Sequence, residues 1–189
     1  HTYPEAREKM LRTFKNGTLF SSYIGHANPK AWTHNGLLSW SDINNEFYYK
    51  HPTFIYTGTC EFTRWDAAEV SGGELIYLNE QGGFIGMLTS SRATGISYNG
   101  EFAADLGYYI SRPNADGSYP AIGDIIVTTK NGRPSDGGHR WKYALIGDPA
   151  MKLKYPQNRV VIDKINGNSV LDDANPPQIM ACQQVSVEG

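Results

Sequence analysis

Apolar residues in this chain fall into short dense runs, separated by stretches in which they recur every three or four positions. The runs at 18–25, 53–59 and 83–89 are rich in β-branched and aromatic residues and are bounded by glycine or polar residues, so each reads as a strand. Between them the helical period appears. Residues 3–15 place Met10, Leu11 and Phe14 on one face, with Thr2 and Glu5 as a capping box, Pro4 in the first turn and Gly17 at the stop. Residues 39–46 read as a short helix. Ser71-Gly-Gly-Glu74 is a second capping box, opening a helix that ends before Gly82-Gly83. Residues 97–111 carry Tyr98, Phe102, Leu106, Tyr109 and Ile110 on one side of a further helix, and 122–130 form another despite their β-branched residues. The stretch 26–36 is so rich in turn formers that it reads as a loop, as do 61–70, 112–120 and 133–139. Residues 142–146 form a strand, and the alternation over 151–155 suggests another. The apolar runs at 160–165 and 185–187, with Asn166-Gly167 between them, look like the start of an all-β module that follows the α/β part.

Alternation of strands with helices implies a mostly parallel sheet covered on both faces. In such sheets ligands bind in the crevice outside the carboxyl ends of the strands. His26 directly follows the first run and Cys60 ends the second. If those strands are neighbours, an imidazole and a thiol meet at one edge. A thiolate is the attacking form of cysteine, and a neighbouring imidazole can take its proton and return it to a leaving amine. Taken singly, each residue has an ordinary reading, the cysteine as a small buried apolar group and the histidine as a solvated one.

Composition narrows the alternatives. The 189 residues are 40% hydrophobic and 19% charged with a net charge of −2, which gives no basic footprint for nucleic acid. Two cysteines, Cys60 and Cys182, are too few for a disulfide framework. His26, His34, Cys60 and Asp66 lack metal-ligand spacing, so neither a metal nor another cofactor is expected. No strand precedes the helix at 3–15, and the chain reads as part of a longer protein.

Leu19-Phe-Ser-Ser-Tyr-Ile-Gly-His26, Trp32, Phe54 to Cys60, Gly82 to Ser91, Asn99-Gly-Glu-Phe102 and Leu145 to Met151 together resemble the gingipain family of clan-CD cysteine peptidases. Within it, Thr59-Cys-Glu-Phe62, Asp66 and Ser71-Gly-Gly-Glu74 are most similar to the type IX secretion-system sortase of Bacteroidetes. The resemblance implies the C-terminal part of a caspase-like three-layer α/β/α sandwich over 1–156, and over 157–189 the beginning of an immunoglobulin-like β-sandwich. It implies Cys60 as nucleophile, His26 as its partner, and backbone N–H groups of Ala27 and Cys60 as the oxyanion hole. Trp32, Glu61 and Arg92 would touch substrate. The acid that orients the histidine would lie in a missing N-terminal part of the same domain.

The resemblance also implies protein substrates, namely C-terminal signal domains of secreted cargo, other secretion-system components as partners, and an exported place at the outer membrane or cell surface. A secreted endopeptidase without transfer activity, and an inactive envelope or adhesion module, are the alternatives. Two departures from the family pattern matter. Gly25-His26-Ala27 replaces Gly-His-Gly, and a positive φ at Ala27 would cost about 1 kcal/mol. Arg92-Ala-Thr-Gly-Ile-Ser97 stands where gingipains place a tryptophan against a basic side chain, so arginine specificity does not carry over.

Overall fold

The computed structural model describes residues 3–34, 36–133, 137–156, 161–171 and 176–189. They form two units, His1–Lys154 and Tyr155–Gly189. In chain order the first contains α1 (Pro4–Asn16), β1 (Phe20–Ile24), β2 (Ala27–Asn28), β3 (Ala31–Trp32), β4 (Leu38–Ser39), α2 (Trp40–Glu46), β5 (Thr53–Gly58), α3 (Gly72–Tyr77), β6 (Phe84–Ser90), α4 (Ile96–Ile110), α5 (Ile122–Asn131), a 3₁₀ turn (His139–Lys142) and β7 (Tyr143–Ile146).

The main sheet has the order β1-β5-β6-β7. β1, β5 and β6 run parallel, and β7 returns antiparallel beside β6. Every residue of β5 is buried, as expected of a central strand covered on both faces. Its alternate side chains feed two cores. Ile55 joins Phe14, Phe47, Ile76 and Met87 under α1, α2 and α3. Tyr56 faces the other way, against Phe102 of α4 and Tyr143 of β7, with ring centroids 5.6 and 5.4 Å away. The result is three layers, helix on sheet on helix. The buried hydroxyls inside the sheet satisfy one another: Thr57 donates to Thr89 at 2.7 Å, and Thr89 and Thr63 are 2.9 Å apart.

Several expectations change. The helix start is Tyr3 with Pro4 in the first turn, and Tyr3 makes no side-chain cap; Thr2 lies outside the described residues. The turn-rich stretch 26–36 is not a plain loop. It contains β2 and β3, paired as a hairpin whose turn is Pro29-Lys30, and β4 adds a third strand. Asn28 Oδ1 accepts from the backbone N–H groups of Lys30 and Ala31, so one side chain closes the turn. Residues 151–155 form no strand. Leu153 is buried, which gives the alternation, yet the Met151 carbonyl accepts from Ile122 N–H at the start of α5 rather than joining a ladder. That bond, with Gly123 N–H to Pro149 O, caps α5 and lets its β-branched residues turn a helix around buried Ile122, Ile125, Ile126 and Thr129. The loop expected at 133–139 includes positions 134–136, outside the described residues.

Arg7 fastens α1 by charged contacts, the tighter one to Asp42 and a longer one to Glu46 at 3.8 Å. Arg7 donates to the Asp42 carboxylate through Nε at 3.1 Å and also through Nη2. Asp42 closes the capping box of α2, accepting from Ser39 N and Oγ at 2.8 Å each. Burial pushes the Asp42 carboxyl up, but the bonds from Arg7 and Ser39 outweigh it and hold the group below its ordinary 3.8. A depressed folded value gives stability that is present above 3.8 and lost as pH falls through the folded value. Asp42→Asn is expected to cost about 1–2 kcal/mol in urea unfolding at neutral pH, with a smaller loss near pH 3.

The second unit holds three two-residue antiparallel strands, β8 (Lys164–Ile165), β9 (Asn168–Ser169) and β10 (Val187–Glu188), in the order β10-β8-β9. Asn166 and Gly167, at φ 51° and 78°, form the tight turn between β8 and β9. Val160, expected to open this region, lies outside the described residues.

Candidate active site

The register of β1 against β5 pairs Ile24 with Gly58. Parallel strands carry equal lengths to the same edge, so His26 and Cys60 each stand two residues beyond that pair, at the carboxyl end of the sheet. Gly25 N–H donates to Gly58 O at 3.2 Å, extending the pairing up to the two residues. The Cys60 side is part-buried and the His26 side exposed. The thiol donates to Thr94 O at 3.8 Å, and among the described residues no hydrogen bond joins it to the His26 ring.

Each residue is held by its own neighbours. Tyr23 reaches over Gly25 and donates from its hydroxyl to His26 O at 2.9 Å. A Cβ on Gly25 would lie 2.8 Å from that hydroxyl, so the close approach needs glycine. The Tyr23 ring stacks on Trp32 at 4.2 Å and 6°, and Trp32 packs on Phe62 just after Cys60, at 5.4 Å. Trp32, expected to meet substrate, is 1% exposed. Its ring is spent in the core, bracing the histidine turn against the cysteine turn. Burial pushes the Tyr23 phenol up to about 12.

On the cysteine side, Thr59 O accepts from Ser90 Oγ and, at 2.8 Å, from Thr94 Oγ1. Glu61 has φ 55°, a left-handed conformation that turns the chain sharply after Cys60. Phe62 O then accepts from Gly73 N–H at 3.0 Å, and Pro29 O in the histidine hairpin accepts from Gly72 N–H at 2.5 Å. The start of α3 thus ties both turns together. Only glycine allows it, since a Cβ on Gly73 would sit 1.9 Å from Thr63 Oγ1 and 3.2 Å from Phe62 O. Gly73→Ala is expected to lower stability by about 2–3 kcal/mol, read by thermal or denaturant unfolding.

Ala27 lies in β2 and is not among the described residues with positive φ, so alanine in place of glycine carries no strain there. His26 O accepts from Thr33 N–H at 2.8 Å, which makes 26 and 33 a hydrogen-bonded pair. The next position of an antiparallel ladder is a non-bonded pair, so the Ala27 N–H points away from β3.

Glu61 and Arg92 both stand at this edge. Arg92 donates to Asp66 through Nη1 at 3.2 Å and Nη2 at 2.7 Å, and Arg64 lies 3.5 Å from both Glu61 and Asp66. The Arg92 guanidinium keeps the Asp66 carboxyl below its usual range. Tyr23, Thr94 and Gly72-Gly73 are the contributors that sequence reasoning missed as site residues. Thr94, four residues past β6, sits where a third strand end reaches the same edge; the tyrosine and the glycines gave no comparable signal. Cys182 is exposed and belongs to the second unit. Among the described residues no group of three His, Cys, Asp or Glu could hold a metal ion.

The family model for peptidase family C25 matches residues 1–154. The chain belongs to peptidase family C25. Three solved structures share the fold of this C25 chain. A crystal structure of the Arg-specific cysteine proteinase gingipain R (RGPB) is 12% identical, with a TM-score of 0.68 over 78% of the chain and 36% of the other. The complex of Porphyromonas gingivalis RgpB pro- and mature domains is 13% identical, with a TM-score of 0.64 over 78% and 37%. A third, described as the structure of a protease, is 16% identical, with a TM-score of 0.58 over 92% and 42%. The caspase-like α/β/α architecture is therefore that of the gingipains, and the chain spans about two-fifths of their length or less. No curated protein sequence matches it.

Proposed function

We propose that this C25 chain carries the nucleophile and base of a cysteine peptidase, with Cys60 attacking and His26 moving the proton. The observation that carries the reading is the parallel register of β1 on β5, which brings both residues to one edge. Cys60 Sγ loses its proton to His26 and bonds to the carbonyl carbon of the scissile peptide. The oxyanion that forms is met by the N–H groups of Ala27 and Cys60. His26 returns the proton to the leaving amine as the C–N bond breaks, leaving a thioester on Cys60. Water or an amine then takes the acyl group and restores the thiol.

The Thr59-Cys-Glu-Phe62, Asp66 and Ser71-Gly-Gly-Glu74 pattern supports the sortase version: C-terminal signal domains of exported cargo as substrate, the outer membrane or cell surface as the place, and secretion-system components as partners. Among the described residues no helix is long and apolar enough to cross a membrane. Cleavage of a cargo-junction peptide by the intact natural protein, with an added primary amine, tests this version. An acyl–amine product is expected. Hydrolysis alone at every amine concentration would leave the endopeptidase reading instead.

A further inference from the structure

Four charged side chains form a chain across the mouth of the site. Glu61 pairs with Arg64, Arg64 with Asp66, and Asp66 with Arg92. The first three belong to the turn that follows Cys60, and Arg92 to the loop that follows β6. Arg92 is fixed from behind as well, donating to Ser91 O at 2.7 Å. A further cation arrives from β7's side: Lys142 Nζ donates to Ala93 O at 2.9 Å. Ser91 N–H in turn donates to Lys142 O at 2.9 Å, so this segment and the Ser91–Thr94 loop are one wall. The next carbonyl along that loop, Thr94 O, is the acceptor of the Cys60 thiol.

Both acids flanking the nucleophile are thus already engaged by guanidinium groups. Among the described residues Lys142 forms no ion pair with an acid, which leaves the wall with three cations to two anions. Each pair is partly exposed and adds little to stability. Their summed field acts on whatever approaches the sulfur.

We propose that this charged strap is a specificity element of the site, turning away basic side chains beside Cys60 and admitting acidic or neutral ones. The inference rests on the reading of Cys60 as nucleophile. It sets this chain apart from the Arg-specific proteinase that shares its fold, because among the described residues Glu61 and Asp66 at the mouth are both engaged by guanidinium groups.

Charged thiol reagents test the field without needing turnover. In the intact natural protein carrying Cys182→Ser, Cys60 is modified by an anionic sulfonatoethyl and by a cationic trimethylammonioethyl methanethiosulfonate. Each rate is divided by that of the same reagent with free cysteine. The normalised anionic rate is expected to exceed the cationic one about threefold to tenfold at low salt. Arg92→Ala should lower that ratio severalfold and Asp66→Asn should raise it. A cationic preference in the parent protein, or a ratio that neither variant moves, would overturn the proposal. A peptide series differing only in the side chain before the scissile bond follows. Fastest cleavage after arginine or lysine would also overturn it. If no peptide is cleaved while the thiol ratio behaves as expected, the peptidase reading fails and the charge selectivity stands.

Discussion

Replacing Cys60 by alanine is expected to abolish cleavage and active-site labelling, whereas Cys182→Ala leaves both intact. Removing the sulfur removes the covalent pathway itself, so most of the roughly 10⁶-fold or larger acceleration an enzyme provides should go with it. The fold should survive, because the Cys60 side chain makes one weak sulfur hydrogen bond and its turn is held by neighbours: Thr59 O by Ser90 and Thr94, and Phe62 O by Gly73. Cys182 is exposed and belongs to the second unit. The assay compares both variants with the intact natural protein on one peptide substrate. Retained turnover in Cys60→Ala would mean that the nucleophile is elsewhere.

His26→Ala is expected to lower kcat by about 10²–10⁴-fold with a smaller change in KM, since general acid–base help of that size is what an imidazole supplies. The histidine backbone is fixed independently of its ring, through Tyr23 OH and Thr33 N–H on His26 O. Truncating the ring should therefore leave the Ala27 N–H in place, and added imidazole should restore part of the rate. A loss that appears wholly in KM, with no rescue, would make His26 a substrate contact instead of the base.

Much of this was legible in the sequence, for physical reasons that can be named. β5 is apolar on both faces because helices cover both, and such a run declares itself without alternation. The ends of β1 and β5 were visible as Gly25-His26 and Gly58-Thr-Cys60, so the two candidate residues could be placed at strand termini before their pairing was known. What stayed hidden depends on contacts between distant positions. β2 and β3 are two residues long, and their stability comes from Asn28 closing the turn and from Trp32 packing on Tyr23, not from any run of strand formers. An indole beside a candidate site looks the same in sequence whether it faces substrate or core; only the Tyr23 stack decides that Trp32 is structural. The alternation at 151–155 reported burial of alternate positions around Leu153, which says nothing about a ladder partner. The reversed direction of β7 likewise has no signature in its four residues.

The most direct test is to map where a peptide-derived acyloxymethyl ketone attaches to the intact natural protein. Such a reagent is bound as substrate and forms a thioether with the attacking sulfur, so the peptide that gains mass names the nucleophile. A single adduct on the fragment containing Cys60, formed in step with loss of activity and at least about a hundredfold more slowly after His26→Ala at neutral pH, is the expected result. Inactivation with the adduct on Cys182, or on any residue outside the β1–β5 edge, would contradict the account.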